Sequence, residues 1–268
     1  LTSNGGTIDQ NGQTSTVSTA IGDATSRAQG SLTIANSGTG GSLTSSAYNT
    51  YSGATTINSG ANLALSGAGS IAQSSGVTNN GTFDISATTA GTTVQALTGG
   101  GAVALGSKSL SISNASGDFS GAVAGTGGLN ITGGTQTLSG ANTYTGTTSV
   151  SSGATLALSG AGSIATSSGV TNNGTFNTTG KTGNVSVASY TQSSTGTLAM
   201  NVSPSNTQKL LVAGAASLAG GLSLTGSAGT YQSGRYSLLS AASVSGTFGA
   251  LSTNLSSLTT LGYQLAYD

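Results

Sequence analysis

The chain lacks cysteine, histidine and tryptophan, and only one of its 268 residues is proline. Without histidine and cysteine it has no imidazole base, no thiol nucleophile and none of the usual ligands of zinc, haem or iron–sulfur clusters. Charged side chains make up 4% of the sequence, and the five Lys and Arg balance five Asp. So few basic residues cannot form the positive surface of a nucleic-acid-binding protein. We therefore expect no cofactor and no nucleic-acid partner.

Long apolar runs are also missing, so no segment is expected to span a membrane as a helix. The start has no basic segment followed by an apolar core, and we expect a mature fragment without a signal peptide. Gly, Ser, Thr and Asn dominate, which disfavours helices. Flexible disorder is one alternative for such a composition. Zero net charge, one proline and recurring Val, Leu and Ile favour an ordered all-β chain instead.

The strongest positive signal is an internal duplication. Residues 50–86 and 143–179 align at a constant offset of 93, with 10 of the 37 positions different. Each copy alternates short apolar clusters with Gly- or Asn-rich turn signals, as in Asn172–Asn173–Gly174. Repeats of this kind indicate stacked units rather than one compact globule. A sandwich of many short strands is the alternative.

Stacked short strands with almost no charge predict a parallel β-solenoid. Equivalent positions of successive coils lie roughly 4.8 Å apart, so like charges would repel while Thr, Ser and Asn can form ladders. We expect a stalk over residues 1–209 and a cap over residues 210–268. Tyr51 and Tyr144 are interpreted as aromatic coil corners, with a sugar-stacking surface as the alternative. Phe83 and Phe176 are predicted to lie inside.

Aromatic side chains concentrate towards the C-terminus, where the stretch 231–267 holds five of the twelve. A solenoid needs a cap because its last coil otherwise offers an unpaired edge. We therefore expect a more regular, stable C-terminal cap, whose structural residues are Tyr231, Tyr236, Phe248, Tyr263 and Tyr267.

Two parts of the chain resemble a known family. The motif that runs from GTGGL at 125–129 through LSGANTYTG at 138–146 to GATL at 153–156 resembles the passenger-associated transport repeat of bacterial autotransporters. Residues 49–65 are similar to the second half of another copy.

The tail is similar to the autochaperone or junction region of the same family, through its segments at 210–214, 234–236, 246–248 and 263–267. The resemblance implies a right-handed parallel β-helix outside a Gram-negative outer membrane, reached through the periplasm. It also implies a C-terminal translocator barrel as partner, which this sequence does not contain.

Catalytic chemistry has few candidates. A Ser–His–Asp triad cannot form without histidine. Paired carboxylates could cleave polysaccharides, but the five aspartates are far apart in sequence: Asp9, Asp23, Asp84, Asp118 and Asp268. A phosphate-binding loop ending at Lys181–Thr182 has the wrong spacing, and Asp118 has no recurring calcium motif around it. We expect no enzyme activity and no metal site.

The sequence thus favours the structural stalk of a secreted passenger, which promotes its own translocation and folding and displays an adhesive region at the cell surface. The main alternative is a direct adhesin or self-associating protein, whose uncharged Thr, Ser and Asn faces bind another copy or host surface molecules. Binding of ice or polysaccharide by a Thr ladder is a third hypothesis.

Overall fold

The computed structural model describes residues 1–204, 208–254 and 265–267, and no helix occurs among them. No helix long and apolar enough to cross a membrane is therefore present in these described ranges. All regular elements are strands, because β-branched residues alternate with small polar ones and glycine turns interrupt them every few residues.

The strands are short, and their bounds in chain order are β1 Gly6–Asp9, β2 Thr14–Val17, β3 Leu32–Ala35, β4 Ser42–Ser45, β5 Thr55–Ile57, β6 Asn62–Gly67, β7 Val77–Asn79, β8 Thr82–Thr88, β9 Thr92–Val94, β10 Leu97–Thr98, β11 Ala102–Gly106, β12 Leu110–Ile112, β13 Ala115–Phe119, β14 Ala122–Gly125, β15 Leu129–Ile131, β16 Gly134–Leu138, β17 Thr148–Val150, β18 Thr155–Gly160, β19 Val170–Asn172, β20 Thr175–Lys181, β21 Val185–Val187, β22 Tyr190–Gln192, β23 Thr197–Val202, β24 Leu210–Leu218, β25 Gly221–Gly226, β26 Leu239–Gly246 and β27 Ala250–Thr253.

These strands form four sheets in which every strand pair is parallel. The first has five strands (β1-β3-β5-β7-β10) and the second has six (β14-β11-β8-β6-β4-β2). The third has nine (β21-β24-β22-β19-β17-β15-β12-β9, with β26 on β24), and the fourth has seven (β13-β16-β18-β20-β23-β25-β27). A parallel bridge between Gly99 and Phe119 connects the five-stranded sheet to the seven-stranded sheet.

Paired residues are separated by one turn of a coil. Leu110 pairs with Thr92 in the turn before it and with Leu129 in the turn after it. Gly221 pairs in the same way with Ala250, across a longer turn. Strands inside a sheet therefore bond to the turn before and the turn after them, and the end strands bond to one neighbouring turn. This arrangement confirms the predicted all-β parallel solenoid.

The core is a column of inward side chains stacked turn upon turn. In the seven-stranded sheet, one such ladder runs through Gln136, Leu156, Phe176, Leu198 and Leu222. All five are at most 1% exposed. Because each added rung removes its apolar side chain from water, at roughly 25 cal/mol per Å², the column stabilises every turn through its neighbours.

The two copies of the duplication lie on different sides of the solenoid. In the first copy β5 belongs to the five-stranded sheet and β6 to the six-stranded sheet. The equivalent strands of the second copy, β17 and β18, belong to the nine-stranded and seven-stranded sheets. Since the seven-stranded sheet continues the five-stranded one, the second copy is rotated by one face relative to the first.

Candidate functional site

The predicted corner tyrosines carry matched chains of buried hydroxyl groups. Tyr144 is fully buried, and its hydroxyl lies 2.7 Å from Thr148 Oγ1, which lies 2.9 Å from Ser167 Oγ. Ser167 donates to the carbonyls of Gly146 (2.9 Å) and Gly169 (3.1 Å). Because the one Ser167 hydrogen goes to these carbonyls, Thr148 must donate to Ser167 and Tyr144 to Thr148.

The first copy repeats this chain. Tyr51 OH lies 2.7 Å from Thr55 Oγ1, which donates to Ser74 Oγ at 2.9 Å. Ser74 in turn donates to the carbonyl of Gly53 at 2.9 Å. Burial raises the pKa of Tyr51 to about 12 and raises that of Tyr144 further, although the hydrogen bond to each threonine lowers both. These tyrosines are therefore neutral groups that hold two turns together.

Two asparagines at matched positions each connect three successive turns. Asn142 Oδ1 accepts the Val123 amide at 3.0 Å from the preceding turn, and Nδ2 donates to the Ser163 carbonyl at 3.0 Å in the following turn. Asn49 does the same between the Ile21 amide (2.9 Å) and the Ser70 carbonyl (3.0 Å). Each side chain thus accepts an amide of the preceding turn and adds a second bond to a carbonyl that already accepts the asparagine's own amide.

A larger polar cluster is buried at Tyr190. Its hydroxyl donates to Gln192 Oε1 at 2.5 Å, and Gln192 Nε2 donates to the carbonyls of Ala219 (2.7 Å) and Gly221 (2.8 Å). Asn172 Nδ2 approaches both Tyr190 OH and Gln192 Oε1 at 3.2 Å. Burial raises the pKa of Tyr190, although its hydrogen bond with Asn172 lowers it. The cluster connects turns through side chains as well as through the ladder.

Phe83 and Phe176 are both fully buried, at matched rungs of the two copies. Phe83 stacks between Leu63 and Val103, and the Phe176 ring lies 6.2 Å from the Tyr190 ring. Their interior positions agree with the sequence prediction.

The C-terminal aromatic residues are less uniform. Tyr231 is buried, 9% exposed, and donates to the Val202 carbonyl at 2.8 Å. Tyr236 and Phe248 are partly buried against the core, while Tyr267 is 42% exposed and accepts the Phe248 amide at 2.9 Å. Tyr263 lies outside the described residues. Their role as a folding cap stays a prediction.

The described aspartates serve as local hydrogen-bond acceptors. Asp9 Oδ1 accepts the Ser37 amide at 2.9 Å, and Asp23 Oδ2 accepts the Ser52 hydroxyl at 2.7 Å. The pKa of Asp9 is lowered mainly by its backbone bond with Ser37, and that of Asp23 mainly by the Ser52 hydroxyl. Asp84 accepts the Ser86 amide, and Asp118 accepts the Ser139 hydroxyl. Asp268 lies outside the described residues, and no group of three potential acidic metal ligands occurs in the described part.

The outer face of the nine-stranded sheet carries an uncharged polar ladder. Its members occupy successive rungs and are exposed or half-buried: Thr93, Ser111, Asn130, Ser149, Thr171, Thr191, Ser217 and Ser245. At about 4.8 Å per rung, the ladder spans roughly 34 Å. A surface of this kind can make many weak hydrogen bonds without charge repulsion.

Sequence reasoning did not identify the hydroxyl residues of the two chains, the corner asparagines or the Tyr190 cluster. A signal was present for the hydroxyl residues and the asparagines, because they are identical in the two copies at the offset of 93. Comparison with known proteins finds no matching family model, no matching curated protein and no matching solved structure.

Proposed function

We propose that this chain is the structural stalk of a secreted autotransporter passenger, at the surface of a Gram-negative bacterium or released from it. In this role it promotes its own translocation across the outer membrane and its folding there, and it displays an adhesive region. The parallel solenoid supports this proposal, together with the resemblance of residues 125–156 to the transport repeat.

The observation that carries the proposal is the pairing of each strand with the turn next to it along the chain, from Leu110 with Thr92 to Gly221 with Ala250. A chain that emerges from a pore can therefore complete one turn at a time. Each completed turn buries its inward side chains and satisfies its backbone groups on the turn already formed. Folding outside the pore then opposes backward movement without any nucleotide energy source.

Cross-turn side chains strengthen this coupling. Gln208 is 7% exposed and lies between turns, where its Oε1 accepts the Thr178 hydroxyl at 3.0 Å and its Nε2 donates to the Thr178 carbonyl at 2.8 Å. Together with Asn142 and Gln192, it makes a newly added turn depend on specific groups of its neighbour. The absence of cysteine agrees with passage through a narrow pore, because no disulfide can form in the periplasm.

Deletion of residues 210–268 tests the proposal. With the chain joined to a translocator barrel, we expect this deletion to abolish surface display and protease resistance, because the segment nearest the barrel must fold first. The matched control deletes residues 1–53, which should shorten the displayed solenoid while leaving export intact. Equal export of both deletions, or unchanged refolding without residues 210–268, would refute the mechanism.

The polar ladder favours a second candidate, direct self-association or adhesion. Two neutral ladders can meet face to face without repulsion, and many weak bonds add up between cells. The double substitution Thr171→Lys with Thr191→Lys should then abolish clumping of beads coated with the protein. Thr16→Lys, at an exposed position of the six-stranded sheet, is the control. Clumping that survives the double substitution would exclude this face.

A further inference from the structure

A groove of about 330 Å³ opens on one side of the solenoid, between the turn that contains Ser70 and the first strands of the nine-stranded sheet. All of its lining residues are uncharged, and most carry a hydroxyl or amide group, among them Thr92, Thr93, Ser111 and Asn130. Its volume is at the small end of the range for ligand sites, roughly 300–1,000 Å³.

An exposed tyrosine lies in the turn next to that of the groove-lining residue Ser70. Tyr48 is 50% exposed, and it pairs through a parallel bridge with Ser70, which lines the groove. Gln73 Nε2 donates to the Tyr48 hydroxyl at 2.8 Å and restrains the ring. At the same offset of 93, the equivalent bridge joins Ala141 to Ser163, so the corner itself does not need the ring.

We propose that Tyr48 and the groove bind a neutral saccharide unit of a glycan. Sugar hydroxyls both donate and accept hydrogen bonds, which suits serine, threonine and asparagine side chains. The apolar face of a sugar ring can pack on an exposed tyrosine. Because no charged residue lines the groove, acidic glycans find no counter-charge there. This binding activity is independent of the stalk function.

The test uses the whole chain on an array of neutral glucan, mannan and galactan oligosaccharides, with heparin fragments as the acidic comparison. We expect retention of a neutral oligosaccharide, and a loss of affinity of about tenfold or more in Tyr48→Ala.

Tyr48→Ala introduces the residue that stands 93 positions later, Ala141, in the equivalent bridge, which favours retention of the fold. Thr56→Ser is the matched control, since it also introduces the second-copy residue but lies on the five-stranded sheet. It should bind like the original chain. Failure to retain any neutral oligosaccharide, retention of heparin alone, or equal binding by Tyr48→Ala would overturn the proposal.

Discussion

The hydroxyl chain of the second copy makes a sharp test of how turns are held together. Tyr144→Phe removes the first donor, but Thr148 still donates to Ser167. The expected cost is that of one net hydrogen bond, about 1 kcal/mol of unfolding free energy. Thr148→Val removes the middle group and leaves the Tyr144 hydroxyl buried without an acceptor. Its expected cost is larger, about 2.5 kcal/mol, because a stranded donor adds its desolvation penalty.

The double substitution Tyr144→Phe with Thr148→Val leaves no stranded tyrosine hydroxyl. Its expected cost is about 2 kcal/mol, well below the sum of the single costs, so the two sites should couple by about 1.5 kcal/mol. Equilibrium urea unfolding followed by far-ultraviolet circular dichroism measures all four proteins. Thr148→Ser is the control, because it keeps the hydroxyl.

The first copy supplies an independent replicate through Tyr51→Phe and Thr55→Val, which remove the same two groups of a matched chain. We expect the same ordering and a coupling of the same sign. Additive single and double substitutions in both copies would refute the assignment of one continuous hydroxyl chain.

Three further predictions concern the core, the corners and alkaline pH. Phe176→Ala should lower the unfolding free energy by about 3–5 kcal/mol, because it opens a cavity in the core. The control Val244→Ala, at an exposed position of β26, should change the unfolding free energy by less than about 0.5 kcal/mol. The midpoints of denaturant unfolding measure both effects. Asn142→Ala should cost about 1–3 kcal/mol and speed hydrogen exchange at the Val123 amide, and unchanged exchange there would contradict the corner bond. The pKa of Tyr51 is raised to about 12 in the folded protein, so the folded state favours the neutral phenol. This contribution to stability, on the order of 3 kcal/mol, is present below pH ~10 and is lost as the pH rises to ~12. Part of the tyrosinate absorbance should therefore rise only with the loss of the β-sheet signal, and complete tyrosinate formation near pH ~10 with the fold intact would contradict this.

The fold class could be predicted from the sequence because two independent signals agree. The duplication requires repeated units, and a chain with almost no charge suits side chains stacked at the spacing of parallel strands. The alternation in Leu156–Ala157–Leu158 also indicates the inward side from sequence alone, since Leu156 and Leu158 are buried and Ala157 is half-buried. Alternation within a strand is a local property, which the sequence records directly.

The corner contacts could not be predicted in the same way. Asn142 bonds to groups in the turns on either side of it, and which groups these are depends on the length of each turn, which changes along the solenoid. Register shifts within the ladders, as between Ala157 and Ser159, also mean that a constant spacing in the sequence does not give a constant position within the turn. The groove beside Tyr48 depends on several turns at once, so no single motif indicates it.

The rotation between the two copies has a consequence for any gain or loss of repeats. Excision of the 93 residues between equivalent positions of the two copies would join β4 directly to the second copy. The second copy begins with the same kind of corner as the first, so the junction would still fit. The stacking would survive, but the part after the junction would be rotated by one face about the solenoid axis relative to the part before it. A change in the number of copies would thus change the direction in which a surface at one end faces, without any change in the sequence of the individual turns.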